Sequence, residues 1–155
     1  MLYFDSSALI KFYIQEKGSE EVGRNLQDEK EASRPVFTSV LTFAEIHCAL
    51  ARRAKDRSLS LAHFIRARGT FDSDWVSGLS TVDLGPGVLS IIRNTIDQFQ
   101  LRGADMVHLA SAMWLRDAGV VTRGENQIIF ISSDKLLAKA AVGCGLKVFN
   151  PEGTQ

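Results

Sequence analysis

The chain has 155 residues, 45% of them hydrophobic and 23% charged, with 18 basic side chains against 18 acidic ones. That mixture describes one globular domain with a substantial core and excludes a largely disordered chain. It also leaves no global positive field, so a nucleic acid would have to be held by a local basic patch. Cys48 and Cys144 lie far apart without paired spacing, which points away from a zinc site or a disulfide framework and towards reduced cytosolic thiols.

Leu2-Tyr3-Phe4 is an apolar run without alternation, as in a strand covered on both faces. It ends in Asp5 and passes directly into Ser6-Ser7-Ala8-Leu9-Ile10, so a helix follows, with Ser6 or Ser7 expected as its cap. Gly18 breaks that helix and Ser19 starts a second, amphipathic through Val22 and Leu26 to about Lys30. After Pro35 comes a short strand, Val36-Phe37-Thr38, and Ser39 is the expected cap of a helix from Val40 to Ala54. A further helix is expected over about Ser60 to Trp75, with Leu61, Phe64, Ile65 and Phe71 facing inward. Leu79 to Asp83 reads as a strand, and Gly85-Pro86-Gly87 as a break before a helix over Val88 to Phe99. The next helix starts near Gly103 and is expected to be capped by Gly119. Ile128 to Ile131 is a β-branched, apolar strand; a helix from Lys135 to Val142 and a last strand, Leu146 to Phe149, complete the pattern. Strands alternate with helices throughout, which predicts an α/β fold with helices on both faces of a parallel sheet. A single domain over 1–150 with a short tail over 151–155 is expected. No stretch approaches the roughly 18 apolar residues that span a bilayer, and no leader pattern opens the chain, so a soluble cytoplasmic protein without membrane contact is expected.

Charge is unevenly distributed. Arg52, Arg53, Lys55, Arg57, Arg66 and Arg68 face only Asp56 between Ala51 and Thr70, a net of +5, whereas Glu16 to Glu31 carries a net of −3. The basic stretch Arg52 to Arg68 is either a grip for nucleic-acid phosphates or a solvated helix face.

Four acids stand out. Asp5 follows a strand at the edge where open α/β sheets place ligands, and Asp134 repeats that setting after Ile131-Ser132-Ser133. Asp105 lies in the first turn of a helix whose Ala110, Ser111 and Ala112 allow close approach to the sheet, and Glu45 interrupts an apolar helix stripe. Taken singly, Asp5 and Asp134 are explained as helix caps, Asp105 as a complement to the helix dipole, and Glu45 as part of a Thr42–Glu45 capping box if its helix begins at Thr42. Meeting together, they would raise one another's pKa unless a cation sat between them, and Mg²⁺ or Mn²⁺ is the hard ion that takes carboxylate and water oxygens. Such a site suits phosphodiester hydrolysis without a histidine base.

At these residues the sequence resembles the PIN-domain family, and within it the VapC-like toxins of toxin-antitoxin modules. The matching stretches are Tyr3 to Lys11, Thr38-Ser39 with Glu45, Leu101 to Asp105 leading to Leu109-Ala110, and Ile131 to Leu136. The resemblance implies a three-layer α/β/α sandwich and a Mg²⁺- or Mn²⁺-dependent endoribonuclease. It further implies a homodimer inhibited by a cognate antitoxin protein. By position it makes Asp5 and Asp105 the principal metal ligands, with Glu45 completing the shell or orienting water and Asp134 binding a second ion or acting through water. Ser132 is placed to hydrogen-bond within the cluster, and His108 is read as a packing histidine. Gly103 departs from the pattern by weakening its helix start. The competing reading is a non-catalytic PIN-like binding module. A phosphoacceptor receiver would need adjacent acids where Ser6 and Ser7 stand, and a haloacid-dehalogenase-type phosphatase would need an acid at Ser7. Phe12, Tyr13 and the Val88 to Phe99 helix are the expected apolar contact surface of a dimer, and Trp75 and Trp114 are expected to be buried or interfacial.

Overall fold

The computed structural model describes residues 1–118 and 127–153. In chain order its elements are β1 (Leu2–Phe4), α1 (Ser6–Tyr13), α2 (Ser19–Glu31), β2 (Val36–Ser39), α3 (Thr42–Lys55), α4 (Leu61–Ser77) and β3 (Leu79–Val82). They continue with α5 (Pro86–Thr95), a 3-10 turn (Ile96–Gln98), α6 (Gly103–Asp117), β4 (Ile129–Ile131), α7 (Lys135–Gly143) and β5 (Lys147–Phe149). All strand pairs are parallel, in the order β3-β2-β1-β4-β5. The chain therefore winds outward from β1 to β3, returns to the other side of β1 at β4, and winds outward again. Its direction reverses between β1 and β4, and the crevice beyond the carboxyl ends of those strands is where such sheets bind ligands.

Alternation along the buried strands sorts side chains between two cores. Leu2, Phe4, Val36 and Ile131 pack with α1 to α4, around Leu9, Ile46, Leu50 and Phe71. Tyr3, Phe37 and Phe130 point to the opposite face, where Leu109, Leu115, Leu137 and Val88 of α5 to α7 cover them. This is the expected three-layer sandwich. Two glycines set close approaches within it. A Cβ on Gly87 would lie 2.5 Å from the Trp114 Nε1, so a side chain there would force the indole between α5 and α6 to shift. Gly18 has φ +89, and a Cβ there would meet the Pro151 backbone at 2.9 Å. The buried Pro151 thus brings the segment after β5 against the α1–α2 junction.

Several local expectations change. Asp5, rather than Ser6 or Ser7, caps α1, because its carboxylate is the acceptor that reaches the Ala8 amide. α3 begins at Thr42 rather than after Ser39, because the Val40 amide still pairs with the Val82 carbonyl at 3.0 Å and keeps the chain extended. The Ser39 hydroxyl instead accepts from the Leu41 amide. No capping box forms either: Thr42 pairs with the Thr38 hydroxyl at 2.7 Å, leaving Glu45 available elsewhere. Leu61 and Ile65 are exposed, as α4 turns only Ala67 and Phe71 fully inward. The Val88 to Phe99 helix breaks at Thr95 into the 3-10 turn, with Leu89 and Ile96 exposed. Trp75 and Trp114 are half-buried. The expected Gly119 cap lies outside the described residues. Among the described residues, no helix is long and apolar enough to cross a membrane.

Phe130 is fully buried and stacked on Tyr3 with ring centroids 5.4 Å apart. Phe130→Ala is expected to lower the free energy of unfolding by about 3–5 kcal/mol, the range for emptying such a site. Urea denaturation of the two proteins would measure it as a lower midpoint.

Candidate functional site

Asp5 stands at the carboxyl end of β1, only 2% exposed. Its oxygens accept from the Ala8 amide at 2.9 Å, the Ser7 hydroxyl at 2.8 and 2.9 Å, and the Ser132 hydroxyl at 2.7 Å. All of these donors are neutral. Burial consequently pushes its carboxyl above the ordinary carboxylate value, although the His108 charge and these hydrogen bonds work the other way. The two serines also tie the ends of β1 and β4 together. Ser7 Oγ accepts from the Ser133 amide at 3.1 Å, and Ser132 Oγ accepts from the Asp134 amide at 3.1 Å. The hydrogen bond expected of Ser132 is therefore made, to Asp5.

Asp134 caps α7, its Oδ1 accepting from the Leu136 and Leu137 amides at 2.8 and 2.9 Å. Asp105, in the first turn of α6, is held above the ordinary aspartate value by burial and then by the negative charge of Asp134. Glu45 reaches over from α3 and bonds His108 Nε2 at 2.8 Å. The carboxylate can only accept, so Nε2 carries hydrogen. On the other side of the ring, Nδ1 meets the buried Tyr3 hydroxyl at 3.1 Å. Although burial raises the Glu45 pKa, the hydrogen bond and charge of His108 and the Ser6 hydroxyl hold it below the ordinary glutamate value. The histidine is only 1% exposed and does pack within the core, as expected, but it also orients Glu45. Its position three residues after Asp105, on the same helix face, was the available signal for that second role.

All four acids line one cavity of about 690 Å³. Its donors are hard carboxylate oxygens, and it contains a buried anion satisfied only by neutral groups beside two acids that repel one another. That chemistry fits a hard divalent cation. Among the described residues no three acid, histidine or cysteine side chains are already gathered at ligating separation. Mg²⁺ commonly uses one or two carboxylates and keeps several waters.

The far end of the cavity joins two arginines of the basic stretch to Lys11, Glu16 and Glu152, which sequence reasoning missed. Lys11, 4% exposed, donates to Glu16 at 2.9 Å and to Glu152 at 2.7 Å, and Arg53 donates to the other Glu16 oxygen at 2.7 Å. Arg52 also lines this end. The pairing had no local signature, because Lys11 and Glu152 lie at opposite ends of the chain.

The chain belongs to the PIN-domain family, whose model matches residues 2–142. More particularly, it is 32% identical over 121 residues to two curated Mycobacterium tuberculosis proteins, Ribonuclease VapC45 and Ribonuclease VapC49, covering 78% of this chain and 81% of each relative. Among solved structures, the fold is similar to a chain in VapBC2 from Rickettsia felis bound to a DNA fragment from their promoter. The TM-score is 0.62 at 14% identity, covering 97% of this chain and 98% of that one. It is also similar to a chain in FitAcB from Neisseria gonorrhoeae, with a TM-score of 0.61 at 16% identity over 99% of this chain and all of the other.

The Lys11 cluster has a definite pH signature. Burial raises the Glu16 pKa, but Lys11 and Arg53 bring it below the ordinary 4.5; Lys11 lowers Glu152 likewise. Burial lowers the Lys11 pKa, but the two glutamates hold it above 10.5. The carboxylates' contribution is thus present above 4.5 and lost as pH falls through their depressed values; that of Lys11 is present below 10.5 and lost as pH rises through its elevated one. Lys11→Met is expected to destabilise by about 1–2 kcal/mol at neutral pH, between the values for exposed and buried pairs. Thermal unfolding across pH should show that deficit shrinking in acid.

Proposed function

We infer that this chain is a Mg²⁺- or Mn²⁺-dependent endoribonuclease, the toxic component of a toxin-antitoxin module. The observation that carries this reading is the convergence of Asp5, Glu45, Asp105 and Asp134, from four separate elements, on one open cavity at the reversal point of the sheet. The ribonuclease names of the two curated relatives support the reaction class.

In this reading Asp5 and Asp105 are the principal ligands of the ion. When bound, it supplies a water of lowered pKa and offsets charge on the phosphate being cut. Asp5 is already oriented to hold it, because the Ser7, Ser132 and Ala8 donors fix both of its oxygens before the substrate arrives. Glu45 orients the attacking water or completes the shell, itself held in place by His108 and, behind it, Tyr3. Asp134 accepts through one oxygen from its own helix, which positions the carboxylate to act at a second ion or through water.

The substrate is RNA, and a cognate antitoxin protein covers the acidic cavity when the module is silent. The protein is a cytoplasmic homodimer of one domain, residues 1–150, with Phe12, Leu89 and Ile96 as exposed apolar residues available to the dimer. Beyond residue 150, Glu152 reaches back to Lys11.

Antitoxin-free protein incubated with total RNA and Mn²⁺ or Mg²⁺ is expected to cut it, with cleavage abolished by EDTA. An Asp105→Asn variant prepared identically is expected to lose about 100-fold or more in rate, as for loss of a charge essential to transition-state stabilisation. Equal cleavage by both proteins would place the activity elsewhere. Silence of both, with tight partner binding by the wild type, would favour a non-catalytic binding module.

A further inference from the structure

We propose that Arg52 and Arg53 grip the RNA phosphate that neighbours the one being cut. The inference rests on the ribonuclease reading and adds to it where the strand lies.

The cavity of about 690 Å³ greatly exceeds the ~30 Å³ occupied by a water molecule, so an ion and its waters would leave most of it free for substrate. Glu45 and Arg52 both line it from α3 and lie seven residues apart. At ~1.5 Å of rise per residue, the arginine stands about 10 Å along one rigid helix from the acid cluster, a reach suited to an adjacent phosphate rather than the same one.

The charge balance of the cavity explains why the arginines are needed. Six carboxylates line it against four side-chain cations, a net of −2. A polyanion entering such a groove needs cationic anchors beyond the acids. Lys11 cannot serve, because Glu16 and Glu152 already engage its ammonium. Arg53 gives one N–H to Glu16, which fixes the guanidinium at the cavity wall while its other donors remain. Arg52 is exposed, and its guanidinium makes no ion pair or hydrogen bond among the described residues. A planar fork of N–H donors matches phosphate oxygens two at a time.

The basic stretch of the sequence therefore divides. Arg52 and Arg53 belong to the cavity; Arg57, Arg66 and Arg68 do not line it, and the Arg68 guanidinium lies over the Phe64 ring, 5.8 Å from its centroid. Phosphate contacts of this kind set the register of a strand without reading its bases.

The test is fluorescence-anisotropy binding of a short labelled single-stranded RNA over a salt series, with Mn²⁺ present. Every protein carries Asp105→Asn to prevent cutting. Adding Arg52→Ala is expected to weaken binding about fivefold or more and to flatten the log–log salt dependence by about 0.7, the value for one phosphate contact on a single strand. Arg52→Gln should behave as Arg52→Ala, Arg52→Lys should restore the slope, and Arg66→Ala should change neither quantity. Thermal unfolding of each variant checks that the exposed substitutions leave the fold intact. The inference is overturned if Arg52→Ala leaves the slope unchanged, if Arg66→Ala loses as much, or if the Asp105→Asn parent does not bind the probe. Wild-type cleavage, measured separately, shows whether the ribonuclease reading survives such a result.

Discussion

The structure depends on one buried carboxylate. Asp5 ends the central strand, caps the first helix and sits at the reversal point of the sheet, so it cannot move without disturbing all three. A carboxylate removed from water needs hydrogen bonds and a countercharge. The fold supplies the hydrogen bonds through Ser7, Ser132 and the Ala8 amide, while among the described residues the only charge it sets against Asp5 is that of His108, whose ring is bonded to Glu45. A serine or threonine could cap the helix without a buried charge, and the charge is therefore best explained by what it can hold.

The other acids are arranged around that constraint by different means. Asp134 is placed by the strand beside β1, and the serines that satisfy Asp5 also fix the chain leading to it. Asp105 is carried by α6, whose buried Ala110, Ser111 and Ala112 let the helix lie close to the sheet. Glu45 is held through His108 and Tyr3, a relay that begins in the hydrophobic core and ends at the cavity. Packing on one face of the sheet thereby determines the orientation of a polar group on its edge. The Lys11 cluster does comparable work at the other end, tying α1, α3 and the segment after β5 into one wall.

Much of this was legible in the sequence because the signals are local. Apolar runs ending in Asp5 and Asp134 identify strands, their carboxyl ends and the acids beyond them, and the alternation of strands with helices identifies the layers. The sandwich and the places of Asp5 and Asp134 were readable in that way; Asp105 and Glu45 stood out by their positions on helices, and the hydrogen bond of Ser132 was implied by the family resemblance. What was not readable depends on partners distant in sequence. The start of α3 was shifted by a backbone hydrogen bond from Val40 to Val82, and no pattern within α3 encodes it. Leu61, Ile65, Leu89 and Ile96 fit helical stripes yet face outward, because a stripe gives the apolar side of a helix without saying how much of it a neighbour covers. Lys11 has the local pattern of an ordinary helix residue and is buried by a glutamate 141 residues away.

The proposed function requires the buried Asp5 and its neighbours to hold a divalent ion. Burial raises the pKa of Asp5 and, joined by repulsion from Asp134, that of Asp105, so an entering ion competes with protons there more than it would at ordinary aspartates. Calorimetric titration with Mn²⁺ at about pH 5, repeated in two buffers of different ionisation enthalpy, measures that release directly. Saturable binding is predicted, with affinity that rises with pH and net proton release that fades as it rises. Absence of binding, or binding with no proton release and no dependence on pH, would contradict the proposal.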